Sequence, residues 1–76
     1  MNKKISNKYL QLKSDEVLSK IIERRKELGI SQTMMADYLH ITLSGYYKVE
    51  KGETKLDLFR LFEIAYFLKI DTKEFF

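Results

Sequence analysis

The segment Ser31–Gly52, SQTMMADYLHITLSGYYKVEKG, constrains the fold most, because its apolar residues change phase once, across His40-Ile41-Thr42. Two short helices packed at a steep angle produce such a shift. In the first, Met35, Ala36 and Leu39 share one face at i, i+1 and i+4. In the second, Tyr46, Val49 and Glu50 face inward at i, i+3 and i+4, so Leu43, Ser44, Tyr47, Lys48 and Lys51 point out together. A helix held by its back and presenting a short polar and basic front is what reading a DNA groove requires. The segment reads as a DNA-binding module.

Breaks elsewhere follow from caps, since the 76-residue chain contains no proline. Ser14, Asp15 and Glu16 precede an apolar pattern at Leu18, Ile21, Ile22 and Leu28, predicting a first helix that ends at Gly29. Ser31 caps the second helix and Thr42 the third, which Gly52 closes. Asp57 caps a fourth, with Leu58, Leu61, Phe62, Ala65 and Leu68 expected to face inward. Asp71-Thr72-Lys73-Glu74 matches a capping box and opens a last turn toward Phe75 and Phe76. The expected fold is all-α, a compact bundle of five short helices in one domain. Residues 15–76 form the bundle, and residues 1–14 form a basic arm in which Ile5, Tyr9, Leu10 and Leu12 can pack a short element onto the body.

Charge is informative through its distribution. The net charge is only +3, but residues 1–14 hold Lys3, Lys4, Lys8 and Lys13 without an acid, and Lys48, Lys51 and Lys55 cluster on and after the front helix. Such local basic patches are the footprint of a phosphate binder, and ordinary solubilising lysines also produce them. A composition of 45% hydrophobic and 33% charged residues suits a folded, soluble protein. No run nears the roughly 18 apolar residues of a membrane span, and no signal-peptide pattern opens the chain. Together with the absence of cysteine, this leads us to expect a cytoplasmic protein. One histidine, no cysteine, no phosphate-cradling glycine loop and no carboxylate pair set to share a pocket argue against an enzyme. No metal, cofactor or small-molecule ligand is expected.

The I-S-Q opening of the second helix, Ala36, the V-E-K-G close of the third, L-F-R-L-F-E-I-A in the fourth and the final I-D-T-K-E-F-F form an ordered set. In these the chain resembles the phage-repressor-like helix-turn-helix family of Cro/XRE type, with a lambda-repressor-like fold, over about residues 15–76. The resemblance implies that Gln32 reaches a DNA phosphate and braces the third helix. It implies that Thr42, Leu43, Ser44, Tyr47 and Lys48 face the major groove, and that Lys51 and the Gly52–Lys55 loop follow the sugar-phosphate backbone. Helix N-termini can add backbone amides toward phosphates. The matching acid in relatives pairs with an arginine of the first helix, which assigns Arg25 and Glu50 to the scaffold. Three departures stand out: His40 in the turn position usually held by glycine, Lys69 where a glycine often ends helix four, and a front without Arg, Asn or Gln. His is among the residues enriched at positive φ. Leu43 can touch a thymine methyl and Ser44 several bases, so readout leans on DNA shape and half-site spacing. Gly45 either permits close approach to DNA or is merely tolerated at about 1 kcal/mol.

The resemblance implies a sequence-specific transcriptional regulator, read as a repressor on a palindromic operator. Two copies would read half-sites about 34–36 Å apart. The expected homodimer surface is Phe59, Tyr66, Ile70, Phe75 and Phe76, with Glu63, unless the N-terminal arm covers these aromatics. The alternative function is a protein-interaction module, such as the antitoxin-like partner of a toxin, using Leu43, Tyr46 and Tyr47.

Overall fold

The computed structural model describes residues 3–75, and the side chains from residue 7 onward. Four α-helices and a closing 3₁₀ turn follow in order: α1 (Lys3–Glu27), α2 (Gln32–Leu39), α3 (Leu43–Glu50), α4 (Leu58–Leu68) and the turn Thr72–Phe75. No strand occurs among these residues, and none of these helices is long and apolar enough to cross a membrane. The all-α expectation holds, with four helices and a turn instead of five short helices.

The largest departure is α1, which begins at Lys3 and not after Ser14, and spans 25 residues. Two side-chain pairs carry it across the expected boundary. Gln11 Nε2 donates to Asp15 Oδ1 at 3.0 Å, and Lys13 Nζ lies 3.3 Å from Glu16 Oε2. Asp15 and Glu16 are thus partners of the preceding turn, not the first acids of a new helix. Lysine, glutamine and leucine propagate a helix well, and no glycine or proline interrupts. Instead of packing onto the body, residues 7–16 are all exposed, Tyr9, Leu10 and Leu12 among them. The molecule's longest dimension, 42 Å, reflects a helix of about 37 Å.

From Val17 onward α1 joins the core. Ile21, Met35, Ala36, Leu39, Tyr46, Val49, Ile64, Ala65, Leu68, Ile70 and Phe75 form one buried cluster. The inward faces expected for α2 and α3 are all buried, Glu50 included. In α4 the expected phase is partly wrong: Leu58 and Phe62 are exposed, and Ile64 is buried in their place. The sequence LFRLFEIAYFL is apolar nearly all round, so Leu61, Ile64, Ala65 and Leu68 satisfy helical spacing as well as the expected set. Tyr38 of α2 stacks on Phe67 of α4 with ring centroids 3.9 Å apart.

Side-chain caps occur at three of the expected positions, while Ser14, expected to cap the first helix, lies inside α1. Ser31 Oγ accepts from Met34 N at 3.0 Å, Thr42 Oγ1 from Gly45 N at 2.9 Å, and Asp57 Oδ1 from Arg60 N at 2.7 Å. At the end of α2, His40 takes the left-handed conformation (φ 58°), and Ile41 N closes back on Ala36 O at 3.0 Å. Lys69 does the same after α4 (φ 56°), with Ile70 N on Ala65 O at 2.9 Å. Both are glycine-type endings carried by side-chain-bearing residues. The expected capping box at Asp71 forms only in part. Asp71 Oδ1 accepts from Lys73 N at 3.0 Å, while the Glu74 carbonyl takes Lys20 Nζ at 2.6 Å. That bond, with Arg24 Nε donating to Leu68 O at 3.0 Å, folds the C-terminal turn back onto α1.

Candidate nucleic-acid interface

A buried ion pair sets the attitude of α3. Arg25 of α1 and Glu50 at the end of α3 are both buried, with Arg25 Nε 2.6 Å from Glu50 Oε2 and Nη2 3.2 Å from Oε1. Arg25 Nη1 also donates to the Ile30 carbonyl at 2.9 Å, so one guanidinium ties α1 to the loop before α2 and to α3. Gln32 Nε2 adds a third donor to Glu50 Oε1 at 2.9 Å. Burial alone would raise the Glu50 carboxyl. Hydrogen bonds from Arg25 and Gln32, the nearby Tyr46 hydroxyl and the charge of Arg25 outweigh it and hold the pKa below the usual carboxylate range. The Tyr46 hydroxyl is fully buried beside this pair without a well-formed hydrogen bond among the described residues. Burial, and after it the carboxylate of Glu50, push its pKa far up, so the phenol stays neutral.

With its back fixed, α3 turns the other face outward. Thr42, Leu43, Ser44, Tyr47, Lys48 and Lys51 are all exposed, with Leu43 at 49% and Tyr47 at 48%. Lys51 Nζ lies 5.7 Å from the centroid of the Tyr47 ring, a cation–π contact on the front itself. Lys55 is exposed in the following loop, whose turn closes through Gly52 at φ 76°. Gln32 stands apart from these residues: it is half-buried, and its amide is directed at Glu50. The caps on Ser31 and Thr42 serve the third amide of each helix. The amides of Gln32, Thr33, Leu43 and Ser44 have no partner among the described residues.

Geometry of this kind, a buried α2 back and an α3 front joined by a left-handed turn, is that of a helix-turn-helix. A family model described as Helix-turn-helix matches residues 21–75. The protein belongs to the helix-turn-helix family of Cro/XRE type. It is accordingly a DNA-binding helix-turn-helix regulator, with double-stranded DNA as the partner of the class. No curated protein and no solved structure matches the chain.

For this helix-turn-helix protein several sequence expectations change. Ile70 and Phe75, expected on a dimer surface, are buried in the monomer's own core, because the chain reverses at Lys69 and the last turn packs on α1. Phe76 lies outside the described residues. Phe59 (73%) and Tyr66 (82%) are exposed on α4, and residues 7–16 are themselves exposed. Tyr46, counted in the front of the alternative interaction module, is wholly buried. Gly45 has a structural reason: a Cβ there would lie 3.1 Å from Thr42 Oγ1, the atom that caps α3. Sequence reasoning missed Arg60, whose Nη1 donates to Leu39 O at 2.8 Å and pins α4 to the end of α2. An arginine in the first turn of α4, three residues before Glu63, was the available signal. No cluster of metal-ligating side chains occurs among the described residues, His40 included.

Proposed function

We propose that this helix-turn-helix protein is a sequence-specific repressor that binds a palindromic operator as a homodimer, with α3 lying in the major groove. The observation that carries the reading is the buried Arg25–Glu50–Gln32 assembly, which fixes α3 by its back and leaves Thr42, Leu43, Ser44, Tyr47 and Lys48 facing out. Lys51 and Lys55 supply the sequence-independent attraction to phosphates. Gln32 acts mainly as the brace of α3, and its neighbouring amides are the phosphate contacts. The exposed α4 aromatics Phe59 and Tyr66 form the dimer contact, joined by Leu58 and Phe62. Four large exposed apolar side chains on one helix are the kind of surface that association covers.

The test is a gel shift against the DNA upstream of the protein's own gene, compared with random duplex over a range of salt. A repressor retains a preferred site after nonspecific binding has been titrated away with salt. Equal, salt-sensitive binding to every duplex defeats the reading. Sedimentation of the wild type and of Phe59→Ser tests the dimer separately, the variant shifting toward monomer.

A further inference from the structure

Side chains that grip a base edge through two hydrogen bonds are arginine or lysine on guanine and asparagine or glutamine on adenine. Among residues 17–75 each arginine and the single glutamine is committed to holding the fold, and there is no asparagine. Arg24 donates to the Leu68 carbonyl, Arg25 to Glu50, and Arg60 to the Leu39 carbonyl. Gln32 is bound to Glu50, and Gln11 to Asp15 on the exposed half of α1. The outward face of α3 therefore meets a groove with hydroxyls, lysines and two large apolar surfaces. Of those two, the Tyr47 ring is engaged by the Lys51 ammonium at 5.7 Å, which draws that end of the face toward phosphate. Leu43 remains half-exposed in the first turn of α3, beside the Thr42 cap.

The first residues of a recognition helix are those that meet base edges. The only apolar group a base presents in the major groove is the 5-methyl of thymine. We infer that Leu43 reads thymine methyl groups, so that the half-site is marked by where T·A pairs fall. This rests on the proposed operator-binding function and adds to it the chemistry that is recognised. Burying one methyl against Leu43 is worth about fourfold in affinity, the equivalent of about 0.8 kcal/mol. Discrimination then accumulates from several methyls over two half-sites, while Lys51 and Lys55 contribute equally on every sequence.

The experiment begins with selection of a preferred duplex from random DNA. Each thymine of that duplex is then replaced by uracil, which removes the methyl and keeps the pairing edge. One or two positions in each half-site weaken binding about fourfold, and Leu43→Ala binds the thymine and uracil duplexes alike. Leu43 is exposed, and a thermal melt checks that the variant folds. Lys51→Ala binds both more weakly, with a shallower salt slope, and keeps the thymine-to-uracil ratio. Indifference of the wild type to uracil at every position overturns the inference while leaving specific binding intact. So does a Leu43→Ala variant that keeps the ratio. A selection that yields no preferred duplex defeats the operator reading itself, and this inference with it.

Discussion

The α2–α3 pair and the first half of α1 are both helical, yet they are held by different forces. In α2 and α3 each helix has a side-chain cap, a buried face and a polar bond to another element. Residues 7–16 of α1 have the helix itself, two exposed side-chain pairs and a Lys13–Tyr9 cation–π contact within the same segment. The first kind of helix has a fixed orientation, which a binding surface needs. The second has a direction inherited from Val17–Glu27 and no tertiary contact to defend it. Orientation therefore comes from burial and cross-element bonds, and helicity alone does not supply it.

The sharpest way to break this contrast is to remove one partner of the buried pair. Arg25→Ala or Glu50→Ala leaves an uncompensated charge in the interior and should cost about 3–5 kcal/mol in urea unfolding. Replacing both partners at once with apolar residues of similar size should cost much less. If α3 is aimed by this pair, that double variant folds but loses DNA affinity. The pair also gives the fold an acid limb. Glu50 is held below its ordinary pKa of 4.5, so the unfolded chain takes up its proton first as pH falls. Stability from this group is fully present above that value and is lost as pH drops through the lower, folded pKa. Glu50→Gln should be less stable than wild type at neutral pH, and the gap between their urea midpoints should shrink by pH 3. A gap that is constant with pH would remove Glu50 from the acid limb.

Next in size is the test of phase in α4. Ile64→Ala should cost about 2–5 kcal/mol through the cavity it leaves. Phe62→Ala removes a larger side chain from a partly exposed site and, at protein concentrations low enough to keep the chain monomeric, should cost less than about 1 kcal/mol. Equal losses would mean that Phe62 is covered, in solution, by something beyond the monomer core. Running the pair at two protein concentrations separates a dimer contact from an intramolecular one.

These same residues show what could be read in advance. Where polar and apolar side chains alternate with helical period, as at Met35-Ala36-Leu39 and Tyr46-Val49-Glu50, the pattern carried both existence and orientation. Caps at Ser31, Thr42 and Asp57 were legible because each oxygen precedes an apolar run by one turn. In α4 the contrast between faces is weak, and two phases satisfied the spacing equally. Ser14 looked like a cap, but the helix formers before it and the Gln11–Asp15 and Lys13–Glu16 pairs favour continuation. Ile70 and Phe75 are expected outward because, as apolar residues beyond the end of α4, they group with its exposed aromatics into one surface. The left-handed turn at Lys69, a position already read as the end of helix four, reverses the chain and packs both residues into the monomer's core.

The smallest expected effect on stability bears on the half of α1 that nothing holds. Ser14→Pro places a proline where the continuous helix would lose a hydrogen bond and clash with the preceding turn, at about 3 kcal/mol in a helix interior. That full penalty applies only if the residues before it must stay helical. Here they have an alternative, because residues 7–13 have no buried side chain and unwinding them exposes nothing new. A proline is also well suited to the first turn of the shortened helix that remains. The variant should therefore lose helical circular dichroism over the preceding residues while its urea midpoint moves by less than about 1 kcal/mol. A loss approaching the interior value would mean that Tyr9, Leu10 and Leu12 are packed in solution, and that this helix half is part of an interface and not a projecting stalk.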